Sequence, residues 1–191
     1  MKKLFALALP ALLALTSCKE STEESRYANW QARNEAFIDS IANRHANTST
    51  RGQLDSIHLL SAPGTPIYFK RKATAPADAA DSPRYTDYVK VFYKGTNILG
   101  EYFDGNFKGS DPVEAGESSA VADSKPFITS LQSLIVGWQE VLQRMRPGDR
   151  WEVYIPWTQG YGAAGSGNIR GYSTLVFDLT LIESSPKKSD L

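Results

Sequence analysis

In YVKVFYKG, Val89, Val91 and Tyr93 alternate with Tyr88, Lys90, Phe92 and Lys94. That period of two is expected of a half-buried strand. Trp151, Val153 and Ile155 alternate with Glu152 and Tyr154, while Leu175, Phe177, Leu179 and Leu181 share one face of STLVFDLTLIE, so two further strands are predicted. PIYFKRK, at the end of a loosely alternating stretch over 53–72, and EYFDGNF add two more. Between these runs the period changes. Trp138, Val141, Leu142 and Met145 fall at i, i+3, i+4 and i+7, one face of a short helix whose wet side carries Gln139, Glu140, Gln143 and Arg144. Pro147-Gly148 stops it.

A second helical pattern lies upstream. Ser21-x-x-Glu24 fits a capping box, and Tyr27, Trp30, Phe37, Ile38 and Ile41 recur at helical spacing with Asn34 interrupting the stripe. The spacing predicts a helix over 23–46, ending in the polar run 47–52. Its apolar face needs a cover: either the chain's own C-terminal domain or a second copy, giving a homodimer through the N-terminal helix. Pro, Ala and Asp over 73–83, and Gly, Ser, Asp and Glu over 105–125, read as loops, with Asp111, Glu114, Glu117 and Asp123 solvating the second. QGYGAAGSGN reads as a flexible loop around Tyr161, and 184–191 as a frayed tail. One short helix cannot supply the crossovers of a parallel sheet. The fold class is therefore α+β, an antiparallel twisted sheet wrapped on one short helix with an N-terminal helical extension.

Composition adds two constraints. Apolar residues make up 41% and charged residues 22%, ordinary globular usage for 191 residues. Formal charge is zero and no basic stripe is present, which argues against a nucleic-acid partner. The N-terminus is more specific. Lys2-Lys3 precedes the apolar run 4–15, too short to span a bilayer comfortably, and then comes Leu15-Thr16-Ser17-Cys18 with the sole cysteine. This ending resembles a bacterial lipobox. It implies removal of 1–17, lipidation of Cys18 and an exported protein anchored to a bacterial membrane, facing the periplasm or the surface. A sole cysteine cannot form an internal disulfide, so an anchor explains it better than a staple.

Familiar catalytic constellations are missing from the sequence. His45 and His58 have no second ligand at metal spacing, and no Gly-x-Ser-x-Gly elbow occurs. The glycines at 160, 162, 165 and 167 lack a phosphate loop's Lys-Ser/Thr and precede a strand. No metal or cofactor is expected. What stands out is aromatic residues near turns and strand ends: Tyr93, Phe103, Phe127, Trp138, Tyr161 and Phe177.

With their local motifs these residues resemble the FKBP family of peptidyl-prolyl isomerases. The resemblance is most specific in LIVGWQEVLQRMRPGDRWEVYIP, where an aliphatic pair precedes Gly-Trp-x-Glu-x-Leu and a strand ends Ile-Pro. YGAAG, TLVFDLTLIE, VKVFYKG, YFD and KPF match further family motifs, over about 88–183. The family's proline pocket would then have Trp138 as floor and Tyr93, Phe103, Phe127 and Phe177 as walls. Leu134 and Ile135 would form the rim, with the Ile135 N–H binding a substrate carbonyl. The Tyr161 hydroxyl would meet another carbonyl, Ile169 would cover one edge, and Asp104 would sit at the mouth. Several features depart from the pattern, including a slightly short connection from Phe127 to Trp138 and an unusually long 105–125 loop. Ile169 is followed by Arg170-Gly171 instead of two prolines, and no arginine lies between Asp104 and Phe127. The resemblance bears on the FKBP-like domain over 85–184 alone, while the sequence pattern around it gives a tether and helix over 18–52, a linker and first strand over 53–84 and a tail over 185–191. It also implies proline-containing segments of exported proteins as substrates and tacrolimus-type macrolides as ligands. A non-catalytic FKBP-like chaperone or binding module is the alternative, and a surface lipoprotein binding glycan or a host protein is the third reading.

Overall fold

The computed structural model describes residues 24–47, 53–59, 64–106 and 125–191. The signal segment, Cys18, Ser21, the run 48–52 and the four acids of the 105–125 loop lie outside them.

Seven strands form one antiparallel sheet among the described residues. They are β1 (Asp55–Ile57), β2 (Ile67–Ala73), β3 (Tyr88–Thr96), β4 (Tyr102–Gly105), β5 (Phe127–Ser130), β6 (Arg150–Ile155) and β7 (Leu175–Ser185). Their order is β1-β2-β6-β7-β3-β4, and β5 also pairs with β3. Residues directly opposite in an antiparallel pair share a face. The register sets Val153 opposite Phe177 and Phe177 opposite Gly95; in the next inward row Trp151 faces Leu179 and Leu179 faces Tyr93. One face thus collects Tyr93, Trp151, Val153, Phe177 and Leu179, all buried.

Helix α2 (Val136–Leu142) lies on that face and buries Gly137, Trp138, Val141 and Leu142. The approach is close. A Cβ on Gly137 would stand 2.4 Å from Ile155 Cγ2 and 2.8 Å from its Cδ1. Past the helix, Met145 is fully buried in a tight turn, and Asp149 ties the 73–83 segment beneath it. Its Oδ1 accepts from Ala75 N–H at 2.8 Å and its Oδ2 from Arg146 N–H at 2.6 Å.

The opposite face is partly covered by α1 (Trp30–Ala46). Ile38 and Ile41 form a second cluster with Leu54, Tyr68 and Tyr154. Ile38 and Ile41 of the helix's apolar stripe are thus covered by the chain's own sheet. Beyond α1 the same face is ionic. Arg150, 6% exposed, donates from Nε to Asp178 Oδ1 at 2.8 Å and from a second nitrogen to Oδ2 at 2.9 Å. A buried guanidinium is tolerable only when so paired.

Several expectations change. The upstream helical segment begins at residue 24 as expected, but residues 27–29 interrupt it as a turn with Asn29 in left-handed backbone (φ 53°), so its regular part starts at Trp30. Asn34 belongs to its buried side. The 53–72 stretch contains two paired strands, β1 and β2. The expected frayed tail is tied down: β7 runs to Ser185, and Lys90 Nζ donates to Leu191 O at 2.9 Å.

Gly137→Ala tests the close helix approach. Overpacking of a filled core costs about 1–3 kcal/mol. Urea unfolding should show a loss of that size; a change below about 0.5 kcal/mol, the usual scatter of harmless surface substitutions, would contradict it.

Candidate functional site

Where β3, β4, β5 and β7 meet α2 and the loop after β6, ten side chains line a cavity of about 190 Å³. They are Tyr93, Phe103, Asp104, Phe127, Ser133, Leu134, Ile135, Trp138, Tyr161 and Phe177. Trp138 comes from α2, which its neighbour Gly137 lets sit low on the sheet. Its ring meets Tyr93 edge-on at 5.0 Å and 87°, and Phe177 at 5.1 Å and 85°. Phe103 meets Phe177 at 5.5 Å and 90°. Gly95 makes that pair possible, since a Cβ there would lie 2.5 Å from Phe103. Edge-to-face contacts suit the quadrupoles of these rings and fix their relative tilt. Tyr93, Trp138 and Phe177 are buried, whereas Phe127 and Tyr161 are each 38% exposed, which puts them at the mouth.

Polar groups are few. Tyr93 donates its hydroxyl to Asp104 Oδ2 at 2.7 Å, and Gly105 N–H donates to Asp104 Oδ1 at 2.8 Å. The carboxylate is thus oriented by a phenol and its own next amide rather than by an arginine. Burial, the bond to Asp104 and that residue's charge all hold the Tyr93 phenol well above its ordinary range. Burial, then the Asp104 charge, raises Tyr161 as well. Ile135 precedes α2 in extended backbone, and its N–H donates to no backbone carbonyl among the described residues. Trp138 Nε1 is buried without a partner there.

Tyr161 sits on a loop over 156–174 that differs from the flexible expectation. Gly165 N–H donates to Tyr161 O, Tyr172 N–H to Gly162 O, and Ser166 and Ile169 exchange both backbone bonds. Gly171 makes the crossing possible, because a Cβ there would stand 1.9 Å from Ala163 O. Ile169, expected over one edge of the cavity, packs against the core cluster that holds Tyr93, Trp138 and Phe177, as Phe103, Leu134 and Ile135 do, but does not itself line the cavity.

Two residues escaped the sequence reading. Ser133 lines the cavity, and only its place before Leu134-Ile135 could have marked it. Asn106 stands where β3 is paired by neither β4 nor β5. Its Oδ1 accepts from Tyr93 N–H at 2.8 Å, and its Nδ2 donates to Val91 O at 2.9 Å and Lys125 O at 3.1 Å. Nothing in DGN signals this, because the partners are brought there by the sheet.

Comparison with known proteins agrees with the geometry. The profile of the FKBP-type peptidyl-prolyl cis-trans isomerases matches residues 80–182. The chain is 35% identical over 112 residues to the peptidyl-prolyl cis-trans isomerase Mip of Coxiella burnetii, covering 58% of this chain and 43% of that protein. It is 37% identical over 102 residues to the FKBP-type 22 kDa peptidyl-prolyl cis-trans isomerase of Escherichia coli, covering 53% of this chain and 43% of that protein. The matches thus span less than half the length of these curated relatives. The crystal structure of FkpA from Escherichia coli superposes with a TM-score of 0.62 at 26% identity, covering 87% of this chain and 66% of that one. With more than half of its length matched, the chain belongs to the FKBP-type peptidyl-prolyl cis-trans isomerase family.

Proposed function

We propose that this chain accelerates cis–trans rotation of X–Pro bonds in exported polypeptides, held to a bacterial membrane through a lipidated Cys18. The observation that carries the reading is the cavity of about 190 Å³, floored by Trp138 and walled by Tyr93, Phe103 and Phe177. A cavity of about 150 Å³ admits benzene, so a pyrrolidine ring fits.

Rotation about the X–Pro amide faces a barrier of ~18–20 kcal/mol and breaks no covalent bond. In the twisted transition state, amide resonance is lost and the oxygen and nitrogen carry less separated charge. An apolar pocket binds that state better, relative to water, than it binds the planar one, and only such a difference accelerates rotation. Ile135 N–H and the Tyr161 hydroxyl would each hold a carbonyl beside the rotating bond, keeping the chain bent for rotation. Asp104, fixed by Tyr93 and Gly105, sets a negative field at the mouth where the amide turns. Tacrolimus-type macrolides would compete for the same pocket.

The upstream signal supports export, and among the described residues no helix is long and apolar enough to cross a membrane. Labelled palmitate should be incorporated by cells making this chain and should be lost in Cys18→Ser. Retained label in Cys18→Ser would reject the anchor.

The rate on a short X–Pro peptide decides between isomerase and binding module, a second reading favoured by Tyr102, 61% exposed beside the site. Tyr161→Phe removes one hydrogen bond and should lower kcat/KM roughly 3- to 10-fold. Trp138→Ala should abolish most of the acceleration. No wild-type rate above background, with clear suppression of client aggregation, would select the binding module.

Phenol ionisation gives a separate check. Tyr93 and Tyr161 are raised above the ordinary value of about 10, so both keep their protons up to that pH. A raised folded-state pKa means their contribution to stability is complete below about pH 10 and fades as pH climbs through the folded-state values. Unfolding free energy followed across alkaline pH should therefore decline only beyond about pH 10. A stability loss that tracks phenol absorbance below that pH would contradict it.

A further inference from the structure

Asn34 is a polar residue in the apolar stripe of α1, fully buried and outside the segment matched to the isomerase family. Burying an amide this deeply is unfavourable unless it is hydrogen-bonded. Its partner lies 140 residues away in sequence: Thr174 N–H donates to Asn34 Oδ1 at 2.7 Å, and Thr174 Oγ1 donates to Asn34 O at 3.4 Å. Thr174 is the exit of the loop that carries Tyr161, immediately before β7. The entry is held from the same side. Gln159, 4% exposed, donates from Nε2 to Thr65 O at 2.8 Å, and Thr65 also lies upstream of the family match. Across the neck, Trp157 and Tyr172 meet edge-on at 5.0 Å.

We infer that the upstream segment is a brace for the catalytic loop, with Asn34 and Gln159 as positioning residues that hold Tyr161 over the cavity. This rests on the reading of Tyr161 as a substrate contact. The bonds matter because packing alone is thin there. A cavity of about 320 Å³ lies beside the contact between α1 and the loop neck, lined in part by Asn34, Ile38, Thr65, Trp157 and Thr174. Beside this cavity, directional hydrogen bonds at Asn34 and Gln159 clamp the upstream segment to the two ends of the loop. Neither clamp touches the cavity that holds substrate: neither Asn34 nor Gln159 lines it. Their effect reaches the reaction only through the loop.

The test uses the full chain with Asn34→Leu, which keeps the branched shape and number of heavy atoms and does not weaken helix propensity, and Gln159→Met as the second variant. Amides over 162–172 should exchange with deuterium at least about fivefold faster in either variant, while α2 amides stay unchanged. The rate constant kcat/KM on an X–Pro peptide should fall about 3- to 10-fold. In a Tyr161→Phe background the further loss should shrink to under about twofold, because the positioned hydroxyl is already gone. Full, independent losses in the double variants would overturn the inference, as would unchanged loop exchange in both single variants. Exchange does not depend on activity. A wild-type chain without isomerisation but with faster loop exchange in the variants rejects the enzyme reading and supports the brace.

Discussion

The contact between Gly137 and Ile155 is the constraint on which the site depends. A seven-residue helix has little surface with which to hold itself on a sheet. It does so by coming within side-chain distance of β6, closer than any residue with a Cβ allows. That approach lowers Trp138 onto the row made by Tyr93 and Phe177. The cavity is the unfilled end of the resulting core, with walls that are core residues on their other side. Fold stability and pocket shape therefore share the same atoms. A ring deleted from the pocket leaves a hole in the core, and this ties the rigidity of the floor to global unfolding rather than to local motion.

The two faces of the sheet handle charge differently. On the outer face, Arg150 and Asp178 form a bidentate pair beside Lys72, an arrangement that satisfies buried ions and leaves them inert. Among the described residues that line the cavity, Asp104 is the one carboxylate, and it keeps company with phenols that stay protonated. The proposed rotation transfers no proton and has no use for a group that titrates near neutrality.

Much of the fold was legible because each strand carries its own period. Val89-Val91-Tyr93, Trp151-Val153-Ile155 and Leu175-Phe177-Leu179-Leu181 are all buried. The aromatic lining was legible through motifs rather than period, since nothing in the spacing of Phe103 or Phe127 says that they meet. What could not be read depends on distant partners. Asn34 looked like a flaw in a stripe because its acceptor role needs Thr174. Asn106 was silent because it completes a gap between two strands. The Tyr161 loop looked loose because glycine content reports backbone freedom in the unfolded chain, not the bonds that remove it. The C-terminal tail was misread for the same reason: Lys90 ties it from another strand.

The loop that crosses itself at Gly171 owes its order to contact rather than to a restricted chain. Prolines stiffen a loop by limiting the unfolded chain, an entropic effect present whatever the loop touches. Here the chain takes the opposite course. It admits a residue with the greatest freedom when unfolded and recovers order by letting two backbone segments pass almost in contact. The stiffness of this part of the site is thus enthalpic in origin. Such order depends on temperature and on the integrity of the neighbouring segments, and the residues that supply it need not face the cavity.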